Sequence, residues 1–140
     1  MKITVRFFLV LAFLFVTHRA TAQQDNRTPK PGFFTMQQFK LVFGQGAKFN
    51  SLSDSVFVPI LDELVKEGKL IGWGQLTHAW GDEWDNNFYF VTESHRAFLD
   101  FWEEYVSRLT KRFPGSFTAL SATIEGHKDN LYTIRKSSLR

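Results

Sequence analysis

Leu70-Ile71-Gly72-Trp73-Gly74-Gln75-Leu76-Thr77-His78-Ala79-Trp80, followed after a short gap by Phe88-Tyr89-Phe90-Val91-Thr92, is the stretch on which the fold turns. Both runs are rich in aromatic and β-branched residues, and Gly81-Asp82-Glu83-Trp84-Asp85-Asn86-Asn87 between them has the composition of a loop. They predict a β-hairpin with a longer than minimal connection. Gly72 and Gly74 interrupt the first run and predict a bulge that bends it.

A helical pattern lies on each side of the hairpin. Upstream, Phe57, Ile60, Leu61, Leu64 and Val65 recur at helical spacing and Gly68 supplies the stop. Ser51 with Asp54 three residues on resembles a capping box, whereas Pro59 removes a backbone donor inside the pattern. The expectation is one bent helix whose firm part is 59–67. Downstream, Ser94 can cap a helix in which Phe98, Phe101, Trp102, Tyr105, Val106 and Leu109 form one apolar stripe, closed by Pro114-Gly115.

The outermost elements read as strands. Phe39, Leu41 and Phe43 alternate with Lys40 and Val42 before Gly44 and Gly46 end the run. Residues 116–125 and 131–135 read as short strands around a turn at Gly126-His127-Lys128-Asp129-Asn130. The resulting order, β-α-β-β-α-β, is the ferredoxin-like α+β arrangement: a four-stranded antiparallel sheet with two helices on one face. One sheet face is then left uncovered, and its burial against a second copy, as a homodimer, is the economical solution.

Before this domain, expected to span 35–136, two further segments are expected. Residues 1–22 place Lys2 and Arg6 ahead of the apolar run 7–16 and end in Thr17-His18-Arg19-Ala20-Thr21-Ala22, a small-x-small site. This is the pattern of a secretory signal peptide cleaved after Ala22. Ten apolar residues make about 15 Å of helix, half the hydrocarbon core of a bilayer, so no stable membrane anchor is expected. Residues 23–34, polar with Pro29, Pro31 and Gly32, read as a flexible leader. The mature product is expected to be soluble, in the periplasm or outside the cell.

Export changes the charge argument. The 140 residues carry 17 Lys+Arg against 14 Asp+Glu, a net charge of +3, but Lys2, Arg6 and Arg19 all lie in the signal segment, which has no acid. The remainder is balanced at 14 against 14, with no electrostatic footprint for nucleic acid. There is no cysteine, so neither disulfides nor thiol chemistry are available. Twelve Phe, four Trp and three Tyr follow residue 22, and each buried ring removes about 150–250 Å² from water. Such a core needs no covalent staples.

The densest group of chemically capable side chains is His78, Trp80, Asp82, Glu83 and Trp84. Strand alternation sends His78 and Trp80 to one sheet face and Trp73, Gln75 and Thr77 to the other. His78 is the candidate catalytic residue, as a general base or a metal ligand; Asp82 and Glu83 read as solvated loop charges. His95, at the start of the second helix, reads as exposed, and His127 with Asp129 reads as turn chemistry. The three mature histidines lack the short fixed spacing of a zinc motif, so no metal is expected. Neither a phosphate loop nor a Gly-x-Ser-x-Gly elbow is present.

Pro59-Ile60-Leu61-Asp62-Glu63-Leu64-Val65-Lys66-Glu67-Gly68-Lys69, Trp73-Gly74 and His78-Ala79-Trp80-Gly81-Asp82-Glu83-Trp84 resemble segments of small uncharacterised bacterial proteins of the dimeric α/β-barrel superfamily, of the NIPSNAP-like kind. The resemblance covers about 35–113. It implies a barrel completed by two subunits, in a superfamily of cofactor-free oxygenases, haem-dependent enzymes, lactone isomerases and members without known activity. Three functions are therefore carried forward. The first is binding of a small apolar or aromatic ligand between sheet and helices, in a pocket drawn from Trp73, His78, Trp80, Trp84, Tyr89, Phe90, Phe98, Trp102 and Tyr105, with no cofactor. The second is a cofactor-free or haem-assisted oxygenase or isomerase in the same cavity, with His78 as base or axial ligand and Trp80 or Trp84 positioning substrate. The third is a structural dimer or partner-binding module with a filled core.

Overall fold

The computed structural model describes residues 30–81 and 83–138. The segment 1–22 expected to be a signal peptide, residues 23–29 of the expected leader, Asp82 and residues 139–140 lie outside the described residues. The elements are β1 (Phe33–Leu41), α1 (Gly46–Leu52), a π-helical segment (Ser53–Phe57), α2 (Val58–Lys66), β2 (Gly72–Thr77), β3 (Asn86–Thr92), α3 (His95–Arg112), α4 (Ser116–Ser121) and β4 (Ile124–Thr133). The strands form one antiparallel sheet in the order β2-β3-β1-β4, with the helices packed on one face.

Register divides the residues between the faces. Phe33, Thr35, Gln37 and Phe39 of β1 stand opposite Thr92, Phe90, Phe88 and Asn86 of β3, all turned toward the helices. Phe33, Phe39, Phe88 and Phe90 meet Ile60, Leu61 and Leu64 of α2 and Phe98, Phe101, Tyr105 and Leu109 of α3 in one core. The opposite face carries Phe34, Met36, Tyr89 and Tyr132, with the Phe34 ring stacked on Tyr89 at 5.6 Å and 6.1 Å from Tyr132. Among the described residues no helix covers these rings.

Several expectations change. The first strand is not 39–43: it begins at Phe33, inside the stretch read as leader, and ends at Leu41 because Asp85 takes the Leu41 N–H at 2.7 Å. The first helix runs as α1, a π-helical turn and α2, and it starts at Gly46, so Ser51 is interior and caps nothing. Pro59 is accommodated by the π-helical turn before it, where the Val58 N–H reaches back five residues to the Ser53 carbonyl. Ser53 and Ser55 also donate to the carbonyls of Phe49 and Ser51.

The hairpin pairs β2 with β3 in unbroken register from Gly72↔Val91 to Thr77↔Asn86, so the bulge expected at Gly72 and Gly74 is absent. Gly74 instead makes room for the Tyr89 ring: a Cβ there would stand 2.3 Å from the ring edge. The register shift lies between Lys40 and Leu41 against β4. Ser94 caps α3 as predicted, accepting from the Ala97 N–H. Residues 116–121 are a helix, set off by Gly115 at φ 83, and the expected turn at 126–130 is the middle of one continuous strand, β4.

α2 and α3 are tied by ions. Arg108 reaches Glu67 at 2.7 Å and Glu104 at 2.8 Å, and Arg112 reaches Glu63 at 2.7 Å. No helix among the described residues is long and apolar enough to cross a membrane.

Candidate functional site

The site is built where β4 leaves the helices behind. α3 stops at Arg112, the chain reverses through Pro114-Gly115, and α4 with Thr123 leads into β4. Between α4, the sheet and the other helices lies a half-open cavity of about 600 Å³, inside the range of about 300–1,000 Å³ usual for small-molecule sites. The sheet supplies Gln37, Phe39, Phe88 and Phe90 as its floor. Phe49 and Phe57 from the first helical segment, and Trp102 and Tyr105 from α3, form the walls. The exposed lining residues, Phe117, Thr118, Ser121, Glu125 and His127, belong to α4 and β4, so the mouth opens between them.

A few polar groups interrupt this aromatic lining. Ser53 is satisfied internally through the Phe49 carbonyl. The side chains of Gln37 and Tyr105 make no hydrogen bond to another described residue. Burial pushes the Tyr105 phenol well above its ordinary range, so it stands in the cavity as a neutral donor. At the mouth, the His127 ring lies flat on Phe39, 4.8 Å between centroids and 6° from parallel, and its Nε2 is 3.1 Å from Asp129 Oδ1. Glu125 is held by Lys40 at 3.2 Å.

The sequence placed only part of this site. Of the residues expected in the pocket, Trp102, Tyr105 and Phe90 line this cavity. His78 does not: β2 ends at Thr77, and His78 sits exposed in the following loop with its N–H on the Asp85 carbonyl. Trp80 is 95% exposed in the same loop. Trp84 lies near Gly126 and 6.0 Å from Lys128, on the uncovered side of β4. Tyr89 is on that outer face as well, because alternation from Phe88 and Phe90 puts it there. Trp73 does face the helices, but at the far edge of the sheet, where it donates to Asp62 at 3.0 Å. Phe98 is core, 5.9 Å from Phe33. Glu83 and His95 are exposed. Among the described residues no three His, Cys, Asp or Glu side chains gather as a metal site.

What was missed is the β4 side. Gln37 and Phe39 of β1, Phe57 of the π-helical turn, Phe117 of α4 and His127 of β4 all line the cavity, and no local pattern in 116–133 announces the pairing of β4 with β1. The two-residue spacing of His127 and Asp129 was the one available signal, since it puts both on the same side of any strand.

No protein-family model matches the chain, and no curated protein matches it in sequence. Solved structures do match in shape. A dimeric ferredoxin-like protein from an uncultured marine organism has a TM-score of 0.67 at 13% identity, covering 81% of this chain and 96% of that one. This chain has the ferredoxin-like fold. A NIPSNAP family protein from Agrobacterium tumefaciens shares it at a TM-score of 0.58 and 19% identity, over 77% of this chain and 98% of that one. So does SnoaB, a cofactor-independent oxygenase from Streptomyces nogalater, at 0.54 and 15% identity, over 79% and 100%. The ferredoxin-like sheet accounts for the cavity's floor, while its contents belong to this sequence.

Proposed function

We propose that this protein is an exported, dimeric binder of a small aromatic molecule held in the cavity between sheet and helices. The observation that carries the reading is the cavity itself: about 600 Å³, walled by aromatic rings, with the Gln37 amide and the Tyr105 phenol among the lining polar groups that make no hydrogen bond to another described residue. Rings stack on a planar ligand, and two fixed polar groups orient it. Export rests on residues 1–22 and is tested by the mass of the secreted product, which should begin at Gln23. The dimer is supported by the uncovered aromatic face and by likeness to a dimeric ferredoxin-like protein.

Trp102 is the built-in reporter. Titration with a panel of small aromatic compounds should change tryptophan fluorescence in the wild type and in Trp80→Phe, but not in Trp102→Phe. Silence across the panel, or a response carried by Trp80, would remove the ligand-binding reading.

A second reading, cofactor-free oxygenation of the bound aromatic, is favoured by the likeness to SnoaB. Oxygen uptake that depends on a ligand from the panel would support it; its absence with every bound ligand leaves the binder. The haem-assisted version loses its expected axial ligand, because His78 lies in the loop after β2 and outside the cavity lining.

A further inference from the structure

We infer that the ligand of the cavity is an uncharged aromatic carbonyl compound, an aryl ketone or aldehyde, whose oxygen accepts a hydrogen bond from the Tyr105 hydroxyl. The inference rests on the cavity being a ligand site and names the chemical class it takes.

Tyr105 supplies the donor. It is 4% exposed, its ring stacked on Phe101 at 5.7 Å and 19° and lying 5.6 Å from Trp102, so packing by two neighbouring rings fixes where the hydroxyl stands. That hydroxyl makes no hydrogen bond to another described residue. Among the described residues, Thr35, Asn87 and Ser116 each carry a side-chain oxygen sealed from solvent without a partner, and the Tyr105 oxygen is not one of these. It therefore keeps accessible surface, in a side chain that lines the cavity. A buried hydroxyl with no protein partner is costly until something fills its hydrogen-bonding capacity. Ser53, the other buried hydroxyl of the lining, already donates to the Phe49 carbonyl at 2.9 Å. Desolvation keeps the Tyr105 phenol protonated, so what it offers is an O–H, and a phenol donates better than it accepts because its lone pairs are drawn into the ring.

The rest of the lining sets charge and shape. Among the described residues no Lys or Arg lines the cavity, and the acid that does, Glu125, is exposed at the mouth and answered by Lys40 at 3.2 Å. An anion would enter without a counter-ion, and a cation would find ring faces and a carboxylate already paired. The ligand that fits is neutral. Amines take up a proton near neutral pH and ethers accept weakly, whereas a carbonyl conjugated to a ring is a strong acceptor that stays uncharged. The rings of Phe39, Phe88, Phe90 and Trp102 give the aromatic part its faces.

The probes are 2-acetylnaphthalene, its isostere 2-isopropenylnaphthalene, in which a methylene replaces the carbonyl oxygen, and two charged relatives, 2-naphthoate and 2-naphthylmethylammonium. Equilibrium dialysis at neutral pH measures each against the wild type and Tyr105→Phe. Removing a hydroxyl that has no protein partner should leave the circular dichroism unchanged. The wild type should hold both neutral probes and bind the charged ones about a hundredfold more weakly than the ketone, or less. Tyr105→Phe should weaken the ketone about tenfold, the worth of one hydrogen bond, and leave the isostere as it was. The infrared carbonyl band of the bound ketone, read on the wild type and so independent of how the variant folds, should lie at lower frequency than in hexane. Tyr105→Phe acting equally on both neutral probes or on neither, a carbonyl band unmoved from hexane, or a charged probe held as tightly as the ketone overturns the carbonyl inference alone. Failure to hold any of the probes overturns it together with the ligand site.

Discussion

Gly32 shows how much a single missing side chain can decide. Its N–H donates to the Thr92 carbonyl at 3.0 Å and its carbonyl accepts from Ile134 at 2.9 Å, so it joins the ends of β3 and β4 across β1. A Cβ at Gly32 would stand 2.2 Å from the Glu93 carbonyl oxygen, which is backbone and has little freedom to retreat. Gly32→Ala should therefore lower stability by about 1–3 kcal/mol, the usual range for forcing extra volume into a packed site. Gly46→Ala is the control: α1 begins there and nothing lies within 4 Å, so the change should be neutral or stabilising by up to about 1 kcal/mol. Urea midpoints read both, and equal losses would sink the argument. In the sequence, Pro31-Gly32 has the look of a leader, because punctuation residues mark turns far more often than close backbone approaches. His127 was obscured for a related reason. Gly-His-Lys-Asp-Asn is good turn composition, and only pairing with β1 brings His127 to the cavity.

At the level of elements, legibility follows how local the determinants are. α3 was readable end to end, since its cap, apolar stripe and Pro-Gly stop all lie within the segment. β4 was not, because its polar, exposed residues are held in a strand by a partner some ninety residues earlier, and strand preference yields to such context. The first helix fell between: Pro59 forecast a disturbance but not the widened turn that absorbs it. The α2–α3 ion cluster is a further product of three-dimensional proximity. Hydrogen bonding to Arg108 and Lys69 holds the Glu67 carboxyl down at about 2, from an ordinary 4.5, and Arg112 and Arg108 lower Glu63 and Glu104. A carboxyl depressed in the folded state stabilises the fold above the ordinary value and loses that contribution as pH falls through the folded one. Thermal midpoints should thus decline between pH 4.5 and about 2. Arg108→Gln should flatten this decline, and added salt should weaken it, since the pairs are solvent-accessible. An identical slope in the variant would assign the acid sensitivity elsewhere.

For the whole molecule, the uncovered sheet face is divided. Phe34, Tyr89 and Tyr132 make one end aromatic, while Gln38 with Asn130 at 2.6 Å and Lys40 make the other polar. A second copy seated on the aromatic end should give twice the subunit mass by light scattering, and Phe34→Glu with Tyr132→Glu should return it to one without loss of helical circular dichroism. A wild type of single-subunit mass would show that this face stays open to solvent. The ferredoxin-like order itself was legible because two helices and a hairpin suffice to specify it, whereas the sheet's long-range partners were not. Those partners also set the timing of folding. β1, the earliest strand, lies at the centre of the sheet, and Phe33 must wait for Thr92 and then for Thr133, a hundred residues on, before both its edges are paired. Closing such long loops precedes any reward from the contacts, so the chain is expected to fold late and as a unit rather than strand by strand. A central strand that keeps one edge open until the last strand emerges leaves the sheet, and the cavity whose mouth β4 forms, incomplete until nearly the whole chain has been made.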